Sequence, residues 1–141
     1  MTINEKQDQI IEEFGIYDEW MDKYAYLIEL GNSLAPLYDN ERIPGNLIKG
    51  CQSQLWLAAS LKNGEIIFKA DSDAILTKGL IFLFITILSN HTPDEIMSAD
   101  LYFIDAIGLK EHLSPTRSNG LVAMVKQIRF YALAFKSKSA N

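Results

Sequence analysis

The chain has 141 residues, of which 48% are hydrophobic and 22% are charged, and its formal net charge is −5 at pH 7. This length fits a single domain, residues 1–141, and the composition is too apolar for a disordered chain. The negative charge argues against a nucleic-acid surface, because such a surface needs a basic face to displace counterions from phosphates.

The expected compartment follows from the cysteine content and the N-terminal residues. Cys51 is the only cysteine, and residues 1–9 lack the apolar core of a signal peptide. We therefore expect the protein in the reducing cytoplasm. The most apolar run, residues 80–88, is shorter than the roughly 20 residues that a membrane-spanning helix needs. We interpret it as a helix buried on nearly all sides and expect no membrane insertion.

Two helices are predicted at the start of the chain. Asn4 can cap the first helix, and Gly15 suits a left-handed stop at its end. Asp18 can cap the second helix, and Pro36 is expected to end it. Apolar residues at a spacing of three and four predict the buried stripe of this second helix: Trp20, Tyr24, Leu27, Ile28, Gly31 and Leu34.

A small sheet is predicted after the polar loop 39–46. A short extended piece, 47–49, leads to Cys51, and Asn63-Gly64 lies between two strand-like runs, which is the strongest short hairpin signal. We predict an α+β fold, in which a small antiparallel three-stranded sheet has helices packed mainly on one face. Cys51 is then expected at the tip of a turn between two strands.

The remaining elements are predicted to be helical. Residues 71–73 offer caps for the buried helix, and 92–95 form a capping box with proline at the first helical position. A helix over 101–107 should end at Gly108, and the last helix should begin at Ser114-Pro115. Its inner stripe is predicted to contain Leu121, Met124, Val125, Ile128, Ala132 and Phe135.

Cys51 is the first candidate for chemistry. A free cysteine is either an inert core side chain or a reactive thiol that exchanges sulfur or electrons with another molecule. Its position after Gly50, in a predicted turn, suits approach by another molecule. Residue physics by itself leaves both interpretations open.

Arg117 is the second candidate, because a cation in the first turn of a helix opposes the helix dipole. One interpretation is that solvent screens this mismatch. The other is that Arg117 and the helix N-terminus together face an anion, such as a thiolate or persulfide.

The two histidines offer weaker possibilities. A Cys51–His112 pair would supply the nucleophile and base of a thiol hydrolase. Nothing local supports that pair, and we expect His112 to be a surface or capping residue. One cysteine and two separated histidines do not form a zinc-binding set, so no metal site is expected.

The sequence resembles the SufE family of sulfur-acceptor proteins, including its CsdE-type relatives, over residues 20–135. The resemblance rests on four segments in order: Lys23-Tyr24 with Ile28-Glu29-Leu30-Gly31; Ile48-Lys49-Gly50-Cys51-Gln52-Ser53-Gln54-Leu55-Trp56; Asp71-Ser72-Asp73-Ala74 with Lys78-Gly79-Leu80; and Leu113 to Leu121, which includes Ser114-Pro115-Thr116-Arg117-Ser118. It implies the fold that this family shares with IscU-type scaffolds.

The resemblance also implies a function in sulfur relay. Its partner would be a SufS- or CsdA-like cysteine desulfurase, a pyridoxal-phosphate enzyme that holds sulfur from L-cysteine as a persulfide. Cys51 would take this sulfur and pass it to iron–sulfur scaffold proteins, which would raise the turnover of the desulfurase. The chain itself would bind no cofactor, and it would be a persulfide carrier rather than a stand-alone enzyme. We expect a monomer or weak homodimer.

Three further residues are implicated by the resemblance. Arg117 matches the arginine of the family's Ser-Pro-x-Arg-Ser motif, and Asp73 matches an aspartate on the partner-facing surface. Gln52, beside Cys51, is expected to contact the partner or the persulfide. Because a persulfide oxidises easily, we expect Cys51 to fold inward when free and to move outward on docking. The alternative is a binding module that activates the desulfurase allosterically without carrying sulfur.

Overall fold

The computed structural model combines α-helices with a two-stranded hairpin. It describes residues 1–48, 54–113 and 115–139, except for the side chains of residues 110, 115–117 and 139. The elements, in chain order, are α1 (Ile3–Phe14), α2 (Trp20–Asn32), a 3-10 turn (Pro44–Asn46), β1 (Leu55–Lys62), β2 (Glu65–Ser72), α3 (Ile75–Leu88), α4 (Pro93–Ser98), α5 (Phe103–Ala106), α6 (Leu109–His112) and α7 (Pro115–Ser139).

The hairpin forms where the Asn-Gly signal predicts it. Asn63 and Gly64 both have positive φ values, 54° and 81°, which is the backbone of the tight turn that matches the strand twist. β1 and β2 pair antiparallel over their whole length, from Leu55 opposite Ser72 to Lys62 opposite Glu65. A single antiparallel bridge from Ile66 to His91 lies on the outer side of β2.

The prediction of a third strand is wrong, because the sheet in the described residues has only two strands. The extended piece before Cys51 contributes one bridge, from Leu47 to Trp56. Residues 44–46, within the predicted loop, form a 3-10 turn immediately before that piece, and Pro44 has no N–H to donate to a ladder. The mixed helix and sheet architecture itself is confirmed.

α3 is the centre of the core. Its buried side chains lie against α2, β2 and α1, and the burial predicted for the apolar run is confirmed for most of the helix: Leu76, Leu80, Ile81, Leu83, Phe84, Ile87 and Leu88. None of the described helices combines the length and apolarity that crossing a bilayer requires.

The predicted ends of the first two helices are only partly right, since Gly15 does follow the last residue of α1 as its C-cap. Thr2, not Asn4, caps α1: Thr2 and Glu5 exchange two hydrogen bonds in a capping box, and Asn4 lies inside the helix, where its Oδ1 accepts from the Gln7 side chain. Gly15 is right-handed, with φ −66°. Asp18 does not cap α2, whose N-cap is Glu19.

The predicted stripe of α2 is only partly right. Leu27 and Gly31 are buried, whereas Ile28 is 38% exposed. α2 ends at Asn32, before Pro36 is reached. Ile28 is exposed because α2 packs chiefly on α3, which covers only a narrow strip of the surface of α2.

The signals in the C-terminal half are confirmed more fully. Thr92 and Glu95 form the predicted capping box, and Gly108 follows α5 in the left-handed conformation with φ 78°. α7 begins at Pro115. Four residues of its predicted stripe are buried and two are partly buried: Leu121, Met124, Ile128 and Ala132, then Val125 and Phe135.

Candidate functional site

Cys51 and Gln52 lie outside the described residues, and so does the prediction that Cys51 folds inward. The residues on both sides of 49–53, Ile48 and Gln54, are described. The site is therefore defined by its surroundings.

The chain that enters this segment is attached to β1. The Ile48 N–H donates to the Leu55 carbonyl at 2.8 Å, next to the bridge from Leu47 to Trp56. Ile48 is buried. The buried Ile48 side chain and the hydrogen bond from its N–H together hold Ile48 against the start of β1.

The chain that leaves the segment is attached to the end of β2. The Gln54 N–H donates to Asp73 Oδ1 at 3.0 Å, and the Ser72 hydroxyl donates to the Gln54 carbonyl at 2.7 Å. Ser72 lies opposite Leu55 in the ladder, so these contacts are at the same end of the hairpin as Ile48. Ile48 and Gln54, the described residues on either side of 49–53, thus lie at one corner of the fold.

Asp73 therefore has a role that differs from the predicted helix cap. The N-cap of α3 is Ala74, which has no side-chain cap, and Asp71 and Ser72 belong to β2. The prediction that residues 71–73 cap α3 is wrong. β2 extends through Ser72. Ser72 and Asp73 bind Gln54, and Asp71 binds Arg42. Asp73 is exposed, and its contact with the partner stays a prediction.

A groove lies beside this corner. Its volume is about 830 Å³, and residues 44–48 form one wall and α7 forms the other. The α7 wall combines apolar, amide and cationic side chains: Asn119, Val122, Ala123, Lys126, Gln127 and Tyr131. The Tyr131 hydroxyl donates to the Leu57 carbonyl at 3.4 Å, which joins this wall to β1. The loop wall runs directly into the segment that contains Cys51.

Arg117 belongs to the first turn of α7. Its side chain is not among those described, so its contact with a thiolate or persulfide stays a prediction. The backbone places it two residues before Asn119, which lines the groove. That first turn contains no acidic residue to oppose an anion at this end of the helix.

His112 contacts α2. Its ring stacks on Trp20 with 4.0 Å between ring centroids, and the Tyr24 hydroxyl donates to the His112 carbonyl. The residue is exposed overall. A Cys51–His112 pair is not tested, because Cys51 lies outside the described residues. Within the described ranges, no three His, Cys, Asp or Glu side chains lie close enough together to hold a metal ion.

The sequence reasoning missed a charged cluster near the same corner. Arg42 Nη2 lies 2.5 Å from Asp71 Oδ2, and Lys78 Nζ lies 3.7 Å from Asp71 Oδ1. The Asp71 side chain is buried, with 6% of it exposed. No local pattern indicates this cluster, because Arg42 lies in a polar loop 29 residues before Asp71.

Comparisons with known proteins were consistent with this architecture. The model of the SufE family, described as an Fe-S metabolism associated domain, matches residues 8–132. The chain is also similar to a hypothetical protein from Thermus thermophilus whose solution structure is known. The TM-score is 0.75 at 19% sequence identity, and the match covers 92% of this chain and 94% of that one. At this identity the likeness shows a common fold.

Proposed function

Because the chain belongs to the SufE family and is thereby associated with Fe-S metabolism, we propose that it accepts sulfur on Cys51. The donor is the persulfide of a pyridoxal-phosphate cysteine desulfurase, and the sulfur goes on to iron–sulfur scaffold proteins. In this proposal the protein works in the cytoplasm as a monomer or weak homodimer and binds no cofactor of its own.

The observation that carries the proposal is the anchoring of the residues on both sides of 49–53. Ile48 and Gln54 are hydrogen-bonded at one corner of the hairpin, and Ile48 also lines a groove of about 830 Å³. A short stretch of chain between two anchored residues, beside a groove that a partner can enter, suits the presentation of one thiol to another protein.

The chemistry requires a single thiolate. The Cys51 thiolate attacks the outer sulfur of the donor persulfide, a new sulfur–sulfur bond forms, and the bond inside the donor persulfide breaks. The donor cysteine leaves as a thiolate, so no net oxidation or reduction occurs. Since the chain has no second cysteine, no thiol of its own is available to discharge the product.

The residues around Cys51 have distinct roles in the proposal. Arg117 and the N-terminus of α7 stabilise the persulfide anion, since a helix N-terminus and a guanidinium both favour negative charge. Gln52 and the exposed Asp73 contact the desulfurase. Asp73 also holds Gln54, which couples the docking surface to the segment that contains the thiol.

The test uses the chain with its desulfurase and L-cysteine. We expect the intact mass of the chain to rise by one sulfur atom, and we expect desulfurase turnover to increase. Cys51→Ser should lose both effects. Ser53→Ala, which removes a hydroxyl from the same segment, is the matched control and should retain both. If Cys51→Ser stimulates the desulfurase as well as the unaltered chain does, sulfur relay is wrong and the allosteric binding module replaces it.

A further inference from the structure

The outer edge of β2 presents backbone groups that β1 does not use. Along an antiparallel strand these groups point alternately toward the paired strand and away from it. Ile66 shows the outward direction, because its N–H donates to the His91 carbonyl at 2.8 Å. Phe68 points the same way, since its N–H donates to Ser89 Oγ at 3.0 Å. Ala70, two residues further along β2, therefore also directs its N–H and carbonyl away from β1.

The outward N–H of Ala70 is a buried donor. Among the described residues, no group accepts a hydrogen bond from it. Only 1% of the Ala70 surface is exposed. Buried backbone N–H groups in folded proteins are almost always paired with a protein group, a ligand or an ordered water. The Ala70 N–H therefore requires an acceptor that the described part of the chain does not supply.

A pocket of about 240 Å³ lies beside this edge of β2. Residues 68–70 form one wall, residues 33–36 with Tyr38 form the second, and α3 forms the third. The residues in these walls are mainly apolar, and two of them are aromatic: Leu34, Pro36, Phe68, Phe82 and Ile85. Ligand pockets commonly have this character, because apolar walls receive the body of a small molecule and a few polar groups orient it.

Lys69 supplies a positive charge to the same pocket. Its Nζ lies 5.8 Å from the centroid of the Tyr38 ring, within the range of a cation–π interaction. Glu41 Oε2 lies 3.7 Å from this Nζ, which is too far for a hydrogen bond. The other Glu41 oxygen, Oε1, accepts the Tyr38 N–H at 3.0 Å. The Lys69 ammonium group thus keeps its donors available to an anion.

We propose that this pocket binds a small carboxylate with one apolar ring, whose carboxylate accepts the Ala70 N–H and pairs with Lys69. A carboxylate suits the site because a buried N–H and an ammonium group both favour negative charge. A ring suits the walls because Phe68 and Phe82 are aromatic, and aromatic pairs are favourable. Among the described residues, none lines both this pocket and the groove beside 49–53. The proposal therefore goes beyond sulfur relay and does not depend on it.

The test adds phenylacetate to the whole chain and measures the chemical shift of the Ala70 amide proton. We expect this resonance to move downfield and to saturate, because a charged acceptor makes a shorter hydrogen bond. The Kd should be on the order of 1 mM, as is reasonable for a ligand of about ten non-hydrogen atoms. Phenylacetamide, which has the same ring without the charge, should bind about tenfold more weakly.

Two substitutions identify the charge that binds the carboxylate. Lys69→Met should weaken phenylacetate binding about tenfold and leave phenylacetamide binding within about twofold. Lys62→Met is the matched control on β1, because Lys62 is exposed and does not line the pocket, and it should change neither affinity by more than about twofold.

An Ala70 resonance that phenylacetate leaves unmoved would mean that the N–H binds water only, and the proposal would be overturned. It would also be overturned if Lys69→Met weakened the two probes equally, because the pocket would then recognise the ring and not the carboxylate. The thermal midpoint of each variant checks the fold. Should Lys69→Met not fold, Lys69→Gln takes its place with the same expectation. No desulfurase is present in these measurements, so their outcome and that of the sulfur-relay test are independent.

Discussion

Gln7 is a fully buried polar side chain that joins α1 to the region before α5. Its amide nitrogen donates to the Asp100 carbonyl at 2.9 Å and to Asn4 Oδ1 at 3.2 Å, and its oxygen accepts the Phe103 N–H at 3.2 Å. A buried amide is tolerated when its hydrogen bonds are made. Gln7 therefore makes the hydrogen bonds that water would otherwise make to two backbone groups, which are far away in the sequence.

Gln7→Leu should destabilise the protein by about 2 kcal/mol, because it strands the buried Phe103 N–H, and a stranded buried group costs about 1–3 kcal/mol. The measurement is the free energy of unfolding in urea. Gln9→Leu is the matched control on the same helix, and because Gln9 is exposed, its effect should stay within about 0.5 kcal/mol. Similar losses for the two variants would contradict the cross-linking role of Gln7.

Glu95 links stability to pH at the start of α4. Its pKa is lowered by the backbone N–H bond from Thr92, then by the bond to the Thr92 side chain, and to a lesser degree by His91. A carboxylate whose pKa is lower in the folded state than in the unfolded state stabilises the protein above the unfolded pKa. This stabilisation is lost as the pH falls through the folded pKa.

Glu95→Gln should therefore lower the free energy of unfolding at pH 7 by ~0.5 kcal/mol, a small value because solvent screens this largely exposed group. The difference between the two proteins should shrink as the pH falls below about 4. Urea titrations at several pH values measure it. In a Thr92→Val background, which removes the side-chain bond, the effect of Glu95→Gln should depend less on pH, and an unaltered dependence would count against the capping box.

At the scale of elements, α2 and α3 pack with their backbones in contact. A Cβ on Gly79 would lie 2.2 Å from the Leu27 carbonyl oxygen, and a Cβ on Gly31 would lie 2.7 Å from the Gly79 nitrogen. Side chains cannot occupy such positions without separating the helices. The two glycines are therefore required by the helix–helix contact.

Gly79→Ala should lower the free energy of unfolding by about 3 kcal/mol, because overpacking at a backbone contact forces α2 and α3 apart. Thermal unfolding followed by circular dichroism measures the change. Gly45→Ala is the control, since a Cβ there meets nothing within 4 Å. If Gly79→Ala were as stable as Gly45→Ala, the close approach of the two helices would be disproved.

The predictions that are confirmed at this scale rest on local signals. The Asn63-Gly64 hairpin, the Thr92–Glu95 capping box and the stop at Gly108 each depend on residues within one turn. Local signals also failed at the Asn4 and Asp18 caps, and other wrong predictions depended on distant partners. Ile28 matched the apolar spacing of α2 but lies 38% exposed, because spacing does not tell how wide a strip the neighbouring helix covers.

At the scale of the whole molecule, the corner on either side of residues 49–53 combines parts that are far apart in the chain. The loop 39–46, one end of the hairpin and α7 lie around this corner and the groove beside it. Long-range hydrogen bonds and the buried Asp71 carboxylate hold these parts together. The proposed role of Cys51 depends on this assembly, because Ile48 and Gln54, the described residues on either side of 49–53, are held there.

The sequence by itself determined the mixed helix and sheet class, the hairpin and the family resemblance, since these depend on residue type and local spacing. The tertiary structure decided that the sheet has two strands in the described residues and that Asp73 holds Gln54. It also paired Arg42 with Asp71. The physical reason is that a strand needs a neighbour along its length and a buried charge needs a counter-charge, and both partners are supplied only when distant segments meet.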